Sequence, residues 1–165
     1  MRFLRETIRK FRYTLKFLNK NSHAKLNYTV NSSTNSKLTE LMNFYGSDKG
    51  GRNNHHNYSD YYSELFFNQR KRIKNFLEIG LGTNDISMAS NMGKEGIPLA
   101  SLKAWRDYFE NANIYGADID KNILKNDIKI KTFFVDQTNP ETIKLMFEKI
   151  GVNKFDIILE DGLHE

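Results

Sequence analysis

The sequence predicts an α/β domain built on a parallel, doubly wound sheet, and three observations carry that prediction. Residues 76–82, Phe-Leu-Glu-Ile-Gly-Leu-Gly, form a short apolar run broken by one carboxylate and ending in two glycines. That pattern reads as a buried strand entering a tight turn. Ile114–Asp120 and Lys131–Asp136 are further apolar runs ending in acid, and Phe155–Asp161 is a fourth, continued by Gly-Leu-His. Between the runs lie segments with helical periodicity, so strands alternate with helices and the sheet is parallel. Acids at the carboxyl ends of such strands stand where open α/β sheets bind small molecules.

Composition narrows the class. The chain has 165 residues, 39% hydrophobic and 13% aromatic, enough for one domain with a core of its own. It contains no cysteine, which removes disulfides and thiolate metal sites and fits a reducing compartment such as the cytoplasm. No stretch approaches the ~18 uninterrupted apolar residues of a spanning helix. The net charge of +5 is misleading as a whole. Residues 1–25 hold eight of the 25 Lys/Arg and one of the 20 Asp/Glu, leaving 17 basic against 19 acidic residues elsewhere. A near-neutral main body gives no reason to expect a nucleic-acid partner.

Taken in order, residues 1–18 place Leu4, Ile8, Phe11, Leu15 and Leu18 at three- and four-residue spacing among Arg and Lys. They read as a basic amphipathic helix that docks on its own domain or a partner, with peripheral contact to an anionic membrane as the alternative. Residues 19–36 are crowded with Asn, Ser and Thr and read as a linker, so the main domain is placed at 37–165. Ser36 caps a short helix carrying Leu38, Leu41, Met42 and Tyr45, closed by Gly46. The glycine-rich turn Tyr45-Gly-Ser-Asp-Lys-Gly-Gly follows, either a surface loop or a lip over a ligand. His55 and His56 are adjacent loop histidines, solvated rather than a metal pair. Tyr58, Tyr61, Tyr62, Leu65 and Phe66 form a helical stripe suited to core packing.

A long loop, Thr83–Gly96, leads to Pro98, which suits a helix start continued by Leu99, Leu102, Trp105 and Phe109. Trp105 reads as a packing anchor. After the second strand a short helix fits Lys121–Asn126. Asn139 caps a helix with Pro140 first; Ile143, Met146, Phe147 and Ile150 face the core and Gly151 ends it.

The strand ends restrict the ligand. A dinucleotide fingerprint beginning at Gly80 and Gly82 would need a third glycine where Asp85 stands, and no Gly-Lys-Ser/Thr follows, so NAD and phosphate-loop nucleotides are disfavoured. Carboxylates suit hydroxyls, amines and a cationic centre: one can accept from both vicinal hydroxyls of a ribose, another from an adenine amine.

With these motifs in place, the chain resembles class I S-adenosylmethionine-dependent methyltransferases. The residues that carry the resemblance are Leu77-Glu-Ile-Gly-Leu-Gly, Gly116-Ala-Asp-Ile-Asp, Val135-Asp-Gln and Asp156-Ile-Ile-Leu-Glu-Asp-Gly-Leu-His. More narrowly, Tyr45-Gly-Ser-Asp-Lys-Gly, Ser101-Leu-x-x-Trp105 and the Asp-Gly-x-His ending resemble the metal-dependent sugar O-methyltransferases of macrolide biosynthesis. The resemblance covers roughly Tyr45–Glu165. It implies a Rossmann-like sheet with about four of the seven strands of a complete one. The expectation that follows is a C-terminally truncated chain with an unpaired sheet edge.

The resemblance also implies roles. Glu78, Gly80 and Gly82 shape the amino-acid end of S-adenosyl-L-methionine. Asp118, ahead of Asp120, takes the ribose hydroxyls, and Asp136 lies by the adenine amine. Asp161 binds a divalent metal, Mg²⁺, and His164 is the general base that deprotonates an acceptor hydroxyl. The ending Glu160-Asp-Gly-Leu-His has no aromatic platform for a flipped base, so the implied acceptor is a sugar or glycosylated small molecule rather than nucleic acid. The rival expectation is a non-catalytic remnant or interaction module on the same scaffold.

Overall fold

The computed structural model describes residues 36–51 and 56–162. The predicted basic helix at 1–18, linker residues 19–35, His55 and His164 lie outside the described residues. In chain order the elements are α1 (Lys37–Tyr45), a 3-10 turn (Asp48–Gly50), α2 (Tyr58–Phe66), β1 (Asn75–Ile79) and α3 (Ala100–Tyr108). There follow β2 (Asn113–Asp118), a second 3-10 turn (Lys121–Ile123), β3 (Ile130–Phe134), α4 (Pro140–Ile150) and β4 (Ile157–Glu160).

The sheet has four strands in the order β3-β2-β1-β4, and every pairing is parallel. The predicted parallel sheet with alternating strands and helices is therefore present, the expected short helix at Lys121–Asn126 being a 3-10 turn over Lys121–Ile123. In register, Glu78 stands opposite Gly116 on one side and Leu159 on the other. Alternation along the strands divides the apolar side chains between two faces. Phe76, Ile114 and Ile130 point to the face covered by α1 and α3, where they join Leu38, Met42, Leu102, Trp105 and Phe109. Leu77, Tyr115 and Ala117 point to the other face and meet Val135 and Met146. Trp105 is fully buried among the rings of Phe76, Phe109, Tyr62 and Phe66, as its role of packing anchor requires.

Local chemistry explains most of the boundaries. Ser36 accepts from the Thr39 amide at the start of α1, and Gly46 ends that helix in the left-handed region. Asn139 accepts from the Glu141 amide ahead of Pro140, and Gly151 closes α4. The start of α3 differs from the sequence expectation. Leu99 has φ 65°, a left-handed conformation that helical geometry forbids, so α3 begins at Ala100 with Pro98 in the preceding turn. The Leu99 amide donates to the Leu81 carbonyl at 3.2 Å, which pins this turn to the loop after β1. On α4 only Met146 is buried, and Phe147 keeps 39% of its surface exposed. In α2 it is Tyr62 and Phe66 that pack inward, while Tyr61 and Leu65 are exposed. Among the described residues, no helix is long and apolar enough to cross a membrane.

Candidate functional site

Strand order reverses between β1 and β4, and that switch point is where an open parallel sheet leaves a crevice at its carboxyl edge. A cavity of about 220 Å³ opens there, lined among others by Lys49, Gly80, Gly82, Ser101, Asp118 and Asp161. Gly80 has φ 86°, and a Cβ on it would lie 2.5 Å from the Asp161 carbonyl oxygen. The absence of that carbon is what lets the ends of β1 and β4 meet.

Behind the glycines lies a buried ionic cluster. Glu78 is fully buried, its Oε2 accepting from the Ser101 hydroxyl of α3 at 2.8 Å. Lys49 is 5% exposed, and its Nζ lies 2.6 Å from Asp161 Oδ2, 3.4 Å from Glu78 Oε1 and 3.8 Å from Asp48 Oδ1. The contact with Glu78 is an ion pair without hydrogen-bond geometry, so Oε1 keeps unused accepting capacity. Burial pushes the Glu78 carboxyl above its usual range, against the pull of Lys49 and Ser101. Burial works to lower the Lys49 pKa, but Glu78, Asp161 and Asp48 outweigh it and hold the ammonium charged well above the usual lysine range.

The turn that carries Lys49 is thus neither a solvated surface loop nor a simple lip. Ser47 caps it by accepting from the Lys49 amide, and the ammonium is drawn inward between two strand ends. Sequence reasoning missed Lys49 and Ser101 as site residues. The signal was Glu78 itself, because a carboxylate inside an apolar strand needs a buried partner.

Asp118, at the end of β2, is 8% exposed and lines the cavity. Its Oδ2 accepts from the Leu81 amide at 2.6 Å and its Oδ1 from the Asp120 amide at 2.8 Å, so it braces the glycine turn as well as facing the cavity. Asp120 is 2% exposed and caps the following 3-10 turn, with its other oxygen on the Thr83 hydroxyl. The structure thus brings Glu78, Gly80, Gly82, Asp118 and Asp161 together. Asp136 is not on that cavity wall. Its Oδ1 accepts from the Thr138 amide and hydroxyl, bonds that hold its carboxyl below the usual range.

Comparison with known proteins gives these residues a context. No protein-family model matches the chain. The 8-demethyl-8-alpha-L-rhamnosyl tetracenomycin-C 2'-O-methyltransferase of Streptomyces olivaceus is 31% identical over 127 residues, covering 77% of this chain and 30% of that protein. The L-olivosyl-oleandolide 3-O-methyltransferase of Streptomyces antibioticus is 29% identical over 140 residues, covering 84% and 33%. The chain is a homologue of sugar O-methyltransferases. Its fold is the α/β methyltransferase fold: MycE methyltransferase from the mycinamycin pathway, solved with Mg, SAH and mycinamycin VI, superposes with a TM-score of 0.60. That match has 27% identity and covers 81% of this chain and 33% of MycE. The chain therefore spans about a third of the length of the relatives it matches.

Proposed function

We propose that this chain binds S-adenosylmethionine at the carboxyl ends of β1, β2 and β4 and serves transfer of its methyl group to a hydroxyl of a sugar on a glycosylated small molecule. The observation that carries the reading is Asp118 on the cavity wall beside the Gly80 and Gly82 turn, backed by the carboxylates of Glu78 and Asp161. The residues fit such a ligand: a glycine turn that admits close approach, an acid for ribose hydroxyls, and a surplus of carboxylate for a cation.

In this reading Asp118 accepts from the ribose hydroxyls with the lone pairs not used by the Leu81 and Asp120 amides. Gly80 and Gly82 let the backbone meet the amino-acid end, where Asp161 faces its ammonium and Glu78 adds negative charge from behind. Asp136 lies off the cavity wall, and its contact with the adenine amine rests on the sequence resemblance, with Oδ2 the oxygen not bonded to Thr138. Bound S-adenosylmethionine supplies an electrophilic methyl on a sulfonium. His164, three positions after Asp161, is proposed to take the proton of the acceptor hydroxyl, which is a poor nucleophile while protonated. The described residues alone do not fit a divalent cation. Asp161 has one oxygen on Lys49, no group of three His, Cys, Asp or Glu among the described residues is placed to hold a metal ion, and Mg²⁺ takes about six oxygens. The sugar acceptor is supported by the relatives' own substrates, and a cytoplasmic setting by the cysteine-free composition.

Calorimetry of the full chain with S-adenosylhomocysteine tests the reading. Saturable binding, with none for NADH, is expected. Absence of heat with S-adenosylhomocysteine, or preference for NADH, overturns it.

A further inference from the structure

The cluster around Lys49 does more than fill the interior. Taking an ammonium and a carboxylate out of water is unfavourable, and a hydrophobic turn at the same place would avoid that cost. The cluster is also unbalanced: three carboxylates, Asp48, Glu78 and Asp161, surround one ammonium. It is attached to three separate parts of the fold, namely the turn after α1, the end of β1 and the residue just past β4. Lys49, Asp48 and Asp161 all line the cavity, and Glu78 stands behind them with an oxygen that accepts no hydrogen bond. A surplus of carboxylate at a cavity wall favours a cation in the cavity.

We propose that Lys49 is a positioning residue for the amino-acid end of the cofactor. Its ammonium fixes the spacing of Glu78 and Asp161, which without it would repel one another, and leaves them the excess negative charge that receives the ligand's ammonium. This rests on the reading that the cavity takes S-adenosylmethionine. Lys49 is remote in role from Asp118, which faces the nucleoside, so the effect of removing it is confined to one end of the ligand.

Two probes separate that effect from simple loss of folding. S-adenosylhomocysteine carries the amino-acid end, whereas 5'-methylthioadenosine has the same nucleoside without it. By calorimetry the unsubstituted chain is expected to bind both, which establishes the underlying reading; binding of neither removes that reading, and this proposal with it. Lys49→Met should weaken S-adenosylhomocysteine roughly 10- to 100-fold while methylthioadenosine affinity stays within about twofold, the scale expected when charge-assisted contacts at one end of a ligand are lost. Equal weakening of both ligands would reduce Lys49 to a structural ion pair. Unchanged or tighter S-adenosylhomocysteine binding would also overturn the proposal. Should Lys49→Met fail to fold, Lys49→Gln provides the second variant, because it keeps a polar head for its partners while removing the charge. It should show the same selective loss; uniform loss, or none, overturns the proposal.

Discussion

Asp118 has two duties that pull in the same direction. Its oxygens hold the Leu81 and Asp120 amides, so the turn after β1 and the turn after β2 share one anchor, and the same carboxylate faces the cavity. Asp118→Ala should therefore weaken S-adenosylhomocysteine by ~1–3 kcal/mol and also lower stability by ~1–3 kcal/mol, because buried amides lose their acceptor. Calorimetry and denaturant unfolding read the two effects separately; a stability loss with intact affinity would leave Asp118 only its bracing role. The acid at this strand end was legible in the sequence, since Gly116-Ala-Asp ends an apolar run. Its double use was not, because hydrogen bonds to distant amides leave no trace in composition or spacing. Lys49 was hidden for a related reason. A lysine in a glycine-rich turn looks solvated until the carboxylate inside β1 is asked where its counter-charge is.

At the level of elements, helix ends were the most legible features because their causes are local. Ser36 and Asn139 start helices through side-chain acceptors, and Gly46 and Gly151 end them in the left-handed backbone region. The start of α3 was not legible, since nothing in the sequence around Pro98 announces that Leu99 turns left-handed to reach the Leu81 carbonyl. Nor was the link that ties α1 to α3. Tyr45 donates to Asp107 Oδ2 at 2.5 Å, Arg106 Nε donates to Asp107 Oδ1 at 2.8 Å, and Arg106 reaches on to Asp127 at 3.3 Å. Burial raises the Asp107 pKa, but the bonds from Arg106 and Tyr45 outweigh it and leave the carboxyl below its usual range. The bond to Asp107, with burial, pushes the Tyr45 phenol above its own. A depressed acid contributes stability above its unfolded pKa and loses it as pH falls through the folded value. A raised phenol contributes below its unfolded pKa and loses that contribution as pH rises through the folded value. Stability should therefore fall at both extremes relative to Asp107→Asn and Tyr45→Phe, each of which flattens its own limb. Thermal unfolding from acid to strongly alkaline pH checks this, and parallel profiles for parent and variants would discard the link.

At the scale of the molecule, the described residues cover the two faces of the sheet unequally. The α1–α3 face encloses an aromatic cluster in which Phe76 and Trp105 are fully buried, whereas α4 leaves Phe147 39% exposed and Leu145 50% exposed. The sequence marked Trp105 and Phe109 on one helix and Phe147 on the other as core-facing, and periodicity alone could not rank them, because how deeply a stripe is buried depends on what else packs there. The ranking has an energetic consequence. Removing a buried ring costs ~3–5 kcal/mol through lost transfer energy and a cavity the rigid surroundings do not fill. Removing a ring that already touches water forfeits less, under about 2 kcal/mol, because part of its area was never taken out of solvent. Phe76→Ala should therefore remove much of a net stability that for a domain is ~5–15 kcal/mol, while Phe147→Ala should leave most of it. Trp105, the single tryptophan, stacks against Phe109 inside the same cluster and offers an intrinsic fluorescence probe of the transition. Denaturant unfolding followed at that residue measures both variants against the parent. If Phe147→Ala proved the costlier change, the α4 face would be the principal core, and the order of packing drawn from burial would have to be reversed.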